Sequence, residues 1–65
     1  MVLLYSTGCS RCKILKMKLI QKGVSFDEIT NEDAIVAAGV AEIPSLQVDG
    51  ELMGFMKSVD WVNRQ

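Results

Sequence analysis

The chain has 65 residues, 49% of them hydrophobic and 23% charged, which is the composition of one compact domain over residues 1–65 and excludes a disordered chain. Its formal net charge is -1 and its sequence pI is about 5.1, so we expect neither nucleic acid nor an anionic membrane as a partner. The opening apolar run is too short for a signal peptide or a membrane span, and we expect a cytoplasmic protein.

The first half of the chain predicts a strand, a helix and a second strand. Val2 to Tyr5 is a short apolar run that predicts a strand buried on both faces. Ser10 to about Lys22 contains no Gly or Pro and is followed by Gly23, which predicts a helix that ends there. Alternation with period two from Val24 to Ile29 predicts a second strand, parallel to the first because a helix joins them.

One side of this first helix is apolar and should face the sheet. It carries Cys12, Leu15, Leu19 and Ile20. Ile14 and Met17 project elsewhere, and we expect them to pack against a neighbouring element. The alternative is that they form part of an apolar docking rim near the cysteines.

The second half predicts a helix, two strands and a closing helix. Thr30 or Asn31 can cap a short helix that ends at Gly39, and its alanines predict close packing. Asp49-Gly50 is a strong hairpin signal between Ser45 to Val48 and Glu51 to Gly54. A helix is predicted over Phe55 to Asn63. The order β-α-β-α-β-β-α predicts an α/β fold with a four-stranded mixed sheet and three helices.

The two cysteines lie three positions apart, at the junction of the first strand and the first helix. A disulfide between Cys9 and Cys12 would close too small a loop to stabilise the fold, which favours redox chemistry or metal binding. Free N–H groups in the first turn of a helix stabilise an anionic sulfur, so we predict a thiolate at Cys9. In this interpretation Cys9 attacks a substrate disulfide and forms a mixed disulfide with it, and Cys12 then attacks that bond and releases the reduced product. Arg11 either adds positive charge to the thiolate or is a solvated surface residue.

Two other interpretations of the cysteine pair remain. Cys-x-x-Cys is also half of a zinc site, but the chain has no histidine and no third cysteine. A metal site would therefore have to use carboxylates or recruit a second chain, mainly as a zinc or iron-sulfur centre shared between two copies. We expect no metal and no other cofactor. An inert buried pair is disfavoured by the turn at Gly8. Pro44, after Ile43, is by itself an ordinary first residue of a strand.

Taken together, these residues resemble the glutaredoxin branch of the thioredoxin-like superfamily. The resemblance runs through Tyr5-Ser6, Gly8 to Cys12, Ile43-Pro44, Asp49-Gly50 and Gly54-Phe55. It implies a minimal thioredoxin-like fold and a dithiol thiol-disulfide oxidoreductase. It also implies that Pro44 is cis and faces the cysteines, and that the backbone of Ile43 pairs with an extended substrate segment.

Departures from the glutaredoxin pattern bear on the electron donor. Ser6-Thr7-Gly8, Glu42-Ile43 and Gly54-Phe55-Met56 replace motifs that bind the glutathione carboxylates in many glutaredoxins. Gly54-Phe55 is instead similar to the ending of small redoxins that serve ribonucleotide reductase and are reduced by thioredoxin reductase. We therefore expect a monomer that reduces a disulfide-containing protein, with thioredoxin reductase or glutathione as reductant. The candidate substrate-binding residues are Arg11, Ile43, Pro44, Gly54 and Phe55.

Overall fold

The chain forms one mixed four-stranded sheet and three helices in a computed structural model that describes residues 1–65. The elements are β1 (Val2–Tyr5), α1 (Ser10–Gln21), β2 (Asp27–Ile29), α2 (Glu32–Ala37), β3 (Ser45–Val48), β4 (Glu51–Met53) and α3 (Phe55–Asn63). The strand order is β2-β1-β3-β4, with β1 and β2 parallel and the other pairs antiparallel. This confirms the predicted α/β class and the minimal thioredoxin-like fold.

The ends of the first two helices follow from single residues. Gly23 adopts a left-handed conformation (φ 69°), which turns the chain so that the Val24 N–H group donates to the Leu19 carbonyl at 3.0 Å and closes α1. Asn31 caps α2, because its side-chain oxygen accepts a hydrogen bond from the Ala34 N–H group at 3.1 Å. The predicted end of α1 and the predicted cap of α2 are thus both confirmed.

The hairpin between β3 and β4 has the turn that its sequence predicts. Asp49 and Gly50 both have positive φ angles, 50° and 88°, as a two-residue hairpin of this kind requires. The turn sets the register in which Val48 pairs with Glu51 and Leu46 with Met53. β4 is therefore held beside β3 at the edge of the sheet.

The main core lies between the sheet and the helices α1 and α3. Its fully or nearly fully buried members are Leu4, Leu15, Leu19, Leu46, Met53 and Val62. Ser58 of α3 is also fully buried, and its hydroxyl donates to the Met53 carbonyl at 3.1 Å and accepts from the Leu46 N–H group at 3.2 Å. Ser58 therefore joins α3 to β3 and β4 without leaving a buried polar atom unpaired.

Three expectations about packing were wrong. Ile20 is 60% exposed and does not extend the buried side of α1, while Ile14 and Met17 are 49% and 58% exposed and are not buried against a neighbouring element. The alanine-rich α2 is not closely packed either, since Ile35 is its only buried residue. A chain of 65 residues has too few elements to cover the outer faces of its helices.

The second strand is shorter than the sequence predicts. The alternating pattern starts at Val24, but β2 begins at Asp27 and pairs with β1 from Leu3 onward. The Val24 N–H group is already bonded to the end of α1, which delays the strand. None of the helices is both long enough and apolar enough to span a membrane.

Candidate active site at the dithiol

The cysteines lie at the point where β1 leads into α1. The Ser6 N–H group donates to the Ile29 carbonyl at 3.1 Å, which extends the β1–β2 pairing by one residue. Gly8 then turns the chain with φ 82°, a left-handed angle that side chains disfavour. Cys9 follows in an extended conformation as the N-cap of α1, and Cys12 lies in the first turn of the helix.

A hydrogen bond and unequal burial define the geometry of the pair. The Cys12 N–H group donates to the Cys9 sulfur at 3.2 Å, so the cysteine side chain itself caps the helix. Both thiols are free. Cys9 is half-buried, whereas Cys12 is 2% exposed. Only the Cys9 sulfur is therefore open to a sulfur of another molecule.

Hydrogen bonds around the Cys12 thiol stabilise its anionic form. Burial raises the pKa of the Cys12 thiol, but hydrogen bonds with the Cys9 side chain and with the backbone of residues 7–9 outweigh it and bring this pKa below its ordinary value. The sequence predicted a thiolate at Cys9 alone, whereas the structure places anion-stabilising hydrogen bonds around both sulfurs.

The start of β3 brings the Ile43-Pro44 segment to the end of the sheet at which β1 leads into the cysteine loop. Tyr5, the last residue of β1, pairs with Ser45, so Pro44 lies beside the strand end from which the cysteine loop departs. Pro44 is buried, Ile43 is half-buried, and the peptide bond between them is cis, as the resemblance implied. The end of the sheet that carries the dithiol therefore also carries these two candidate binding residues.

The start of α3 completes this end of the molecule. The Arg11 guanidinium lies over the Phe55 ring, 5.5 Å from its centroid, a cation–π contact between α1 and α3. Gly54 precedes this ring as the N-cap of α3 and has no side chain with which to cap the helix. Arg11 was expected either to add positive charge to the thiolate or to be a solvated surface residue. Its side chain is exposed and stacks on Phe55, another candidate residue.

A comparison with curated proteins shows the family. The chain is 33% identical to a thioredoxin of Methanothermobacter thermautotrophicus (strain Delta H), in an alignment of 69 residues that covers 94% of this chain and 90% of that relative. The chain belongs to the thioredoxin family. With the cysteine pair at the start of α1, this thioredoxin-family protein is a thiol-disulfide oxidoreductase, as predicted. No family model and no solved structure matches the chain.

One residue beside the thioredoxin-family dithiol was missed by sequence reasoning. Glu42 lies just before Ile43, and its carboxylate oxygen Oε1 accepts a hydrogen bond from the Phe55 N–H group at 2.9 Å. A Cβ atom on residue 54 would collide with this carboxylate, so Gly54 makes room for it. The available signal was the absence of a capping side chain at Gly54, which left the helix N–H groups to be satisfied from elsewhere in the chain.

A second missed residue supports the cysteine loop from below. Ser6 is fully buried and its hydroxyl donates to Glu28 at 2.7 Å, while the Lys16 ammonium group donates to the other oxygen of the same carboxylate at 2.9 Å. The hydrogen bond from Ser6, followed by that from Lys16, lowers the pKa of Glu28 below its ordinary value. An ionised Glu28 therefore ties the end of β1 to α1 directly beneath the loop.

Other features lie away from this thioredoxin-family site. No three His, Cys, Asp or Glu side chains come together in an arrangement that could hold a metal ion. A cleft of about 310 Å³ is lined by Met1, Val2, Ser25, Phe26 and Asp27, at the opposite end of the sheet from the cysteines. The cysteines therefore lie outside this cleft, with Cys9 half-buried and Cys12 buried.

Proposed function

We propose that this protein is a dithiol electron carrier that reduces disulfides of other proteins through Cys9 and Cys12. The observation that carries the proposal is the pairing of a half-exposed Cys9 sulfur with a buried Cys12 whose N–H group bonds to it. One sulfur is placed to meet a substrate, and the other is close behind it and shielded from substrate. This division of access fits a two-step exchange.

In the first step the Cys9 thiolate attacks one sulfur of a substrate disulfide. A sulfur–sulfur bond forms between Cys9 and the substrate, the substrate disulfide breaks, and one substrate thiolate leaves. In the second step Cys12 loses its proton and attacks the Cys9 sulfur, which releases the second substrate thiolate. The substrate has then gained two electrons, and Cys9 and Cys12 are joined as a disulfide. The lowered pKa of Cys12 favours the second attack.

The residues around the dithiol would hold the substrate segment that carries the disulfide. Ile43 and Pro44 lie at the same end of the sheet as the dithiol, and an extended segment can pair with the backbone of Ile43. Phe55 and Gly54 offer a partly buried surface on the side of α3. Arg11, stacked on Phe55, supplies a positive charge beside the Cys9 loop.

We propose that the electron donor is a protein, thioredoxin reductase, and not glutathione. The support is Glu42, whose carboxylate already accepts a hydrogen bond from the Phe55 N–H group at the start of α3 and brings negative charge to the rim of the site. Glutathione carries two carboxylates, and a fixed negative charge beside the dithiol disfavours its approach. This also supports placing the chain with the small redoxins instead of the glutathione-dependent glutaredoxins.

The remaining functional assignments follow from the same resemblance. We propose ribonucleotide reductase as a target, because it is the enzyme served by the small redoxins that Gly54-Phe55 resembles. Such a carrier works in the cytoplasm, where the thiol pool keeps dithiols reduced. We propose that it acts as a monomer, since the dithiol needs no residue from a second copy.

A trapping experiment tests the roles of the two cysteines. Cys12→Ser, Cys9→Ser and a variant with both changes are each incubated, reduced, with an oxidised protein substrate such as insulin, then quenched with acid and run on a non-reducing gel. Cys12→Ser should accumulate a mixed disulfide with the substrate, because the resolving thiol is gone. Cys9→Ser should trap almost none, because the remaining sulfur is buried.

The outcome that would reverse the roles is trapping by Cys9→Ser and not by Cys12→Ser. Trapping by neither single variant, together with inactivity of the unaltered protein, would remove the proposed activity. The double variant controls for non-covalent complexes that survive the gel.

A second experiment tests the electron donor. The oxidised protein is supplied with NADPH and thioredoxin reductase, or with glutathione, glutathione reductase and NADPH, and NADPH oxidation is followed during insulin reduction. We expect turnover with the first system and little with the second. Equal turnover with glutathione would contradict the proposed electron donor and would indicate a glutathione-dependent glutaredoxin.

A further inference from the structure

The positive charge of the chain is concentrated on the helix that begins at the dithiol. Residues 10–22 carry five of the seven Lys and Arg residues and none of the eight Asp and Glu residues. Of these five, Lys16 is the one that forms an ion pair, with Glu28. The other four are Arg11, Lys13, Lys18 and Lys22. A chain with net charge -1 thus presents a basic helix beside its reactive sulfur.

The outward side of this helix combines these charges with exposed apolar side chains. Ile14 and Met17 are one turn apart, 49% and 58% exposed, and Lys13 and Lys18 flank them on the same side of α1. We call these four residues the α1 outer face. The α1 outer face thus offers a partner both apolar surface and positive charge next to the redox site.

We propose that the α1 outer face docks a protein segment that carries both acidic and apolar side chains next to its disulfide. This inference rests on the proposed function and names the class of substrate that the site prefers. Acidic side chains complement Lys13 and Lys18, and apolar ones cover Ile14 and Met17. A second copy of the chain is a poor occupant for an α1-to-α1 contact, because it would bring two basic helices together.

Helix geometry gives the spacing of the preferred segment. At 1.5 Å per residue, Lys13 and Lys18 lie roughly 6 and 14 Å along the axis from Cys9. An extended substrate chain advances about 3.3 Å per residue, so its acidic residues should lie roughly two to four positions from the cysteine that Cys9 attacks.

The test compares three disulfide-cyclised peptides that differ in one tail of four residues. The tails are Leu-Glu-Leu-Glu, Leu-Gln-Leu-Gln and Leu-Lys-Leu-Lys, each starting directly after one cysteine, so that the charged residues lie two and four positions from it. The pre-reduced protein is mixed with each oxidised peptide, and the single-turnover rate is measured by acid quench and chromatography, so that no electron donor is involved. We expect the acidic tail to react about tenfold faster than the basic tail at low salt, with the ratio approaching one at about 1 M salt.

Matched charge reversals then locate the effect. Lys13→Glu should abolish or invert the ratio between acidic and basic tails, and Lys18→Glu should reduce it. Arg64→Glu, at the end of α3, makes the same change in net charge and should leave the ratio unchanged. Because the readout is a ratio, any change in the intrinsic reactivity of Cys9 cancels. Met17→Ser should slow all three leucine-containing peptides but not a peptide with a Ser-Gly tail.

The outcomes separate this inference from the proposed function. If no peptide is reduced, the proposed function itself fails. Equal rates for the three tails, or the same change in Arg64→Glu as in Lys13→Glu, would overturn only the docking inference. It would also be overturned if Lys13→Glu abolished binding to phosphatidylglycerol vesicles, or dimerisation in sedimentation, while the peptide ratio stayed unchanged.

Discussion

The hydrogen bond between Glu42 and the start of α3 predicts an energetic coupling between Glu42 and Gly54. Glu42→Ala removes the carboxylate that accepts from the Phe55 N–H group. Gly54→Ala leaves Glu42 in place but puts a methyl group where its carboxylate lies, so the carboxylate must move away. The backbone of Gly54 is extended (φ -71°), which alanine adopts freely, so the clash is the main cost of this change.

The two substitutions should therefore have similar costs that do not add. A capping carboxylate at a helix N-terminus contributes about 1 kcal/mol to the free energy of unfolding, through the hydrogen bond and through the helix dipole. For a domain of this size about 1 kcal/mol corresponds to a fall in Tm of about 4–8 °C. Each single variant should lose about this much, and the double variant should lose little more than either one.

Urea and thermal denaturation of the four proteins, followed by circular dichroism with the thiols kept reduced, measure this cycle. Glu42→Gln keeps an acceptor and loses the charge, so it should lie between the unaltered protein and Glu42→Ala, and it should approach the former at about 1 M salt. Glu51→Ala is the control, because it removes an exposed carboxylate 3.6 Å from Lys57 and should cost about 0.5 kcal/mol or less. If the losses in the free energy of unfolding for Glu42→Ala and Gly54→Ala add in the double variant, the Glu42 carboxylate and a side chain at residue 54 do not compete for the same position.

Three further changes have defined outcomes. Ser58→Ala leaves the buried Leu46 N–H group without its acceptor and should lower the free energy of unfolding by about 1–3 kcal/mol in urea titrations. Glu28→Gln should destabilise the protein at pH 7 and progressively less as the pH falls below 4.5. A lowered pKa of Glu28 gives stability that is present above this ordinary value and lost as the pH falls through the folded value. At pH 6 to 7 iodoacetamide should modify Cys9 well before Cys12, and peptide mapping that finds equal modification would contradict the difference in access.

Local sequence signals accounted for most of the fold and for the dithiol. The end of α1 at Gly23 and the Asp49-Gly50 turn depend on residues adjacent in the chain, which is why the sequence predicts them. The cysteine pair at the strand–helix junction is equally local. For the same reason its relation to the first turn of α1 could be anticipated, including the N–H group that reaches the Cys9 sulfur.

What the sequence did not predict depends on residues that are distant in the chain or on neighbours that the fold lacks. Glu42 and Phe55 are 13 positions apart, and Ser6 and Glu28 are 22 apart, so neither pair leaves a periodic pattern. The exposure of Ile20 is a different case, because its hydrophobicity indicates burial. In so small a domain nothing is left to cover it.

The residue that begins α1 is also the residue that reacts, so the covalent state of Cys9 and the stability of the longest helix are thermodynamically linked. A negatively charged sulfur is a stronger acceptor for the Cys12 N–H group than a sulfur bound to a substrate. The cap that Cys9 provides is therefore stronger when its sulfur is a free thiolate than when that sulfur is in a disulfide with a substrate or with Cys12. The start of α1 is therefore the part of the fold whose stability should change each time the protein is oxidised and reduced.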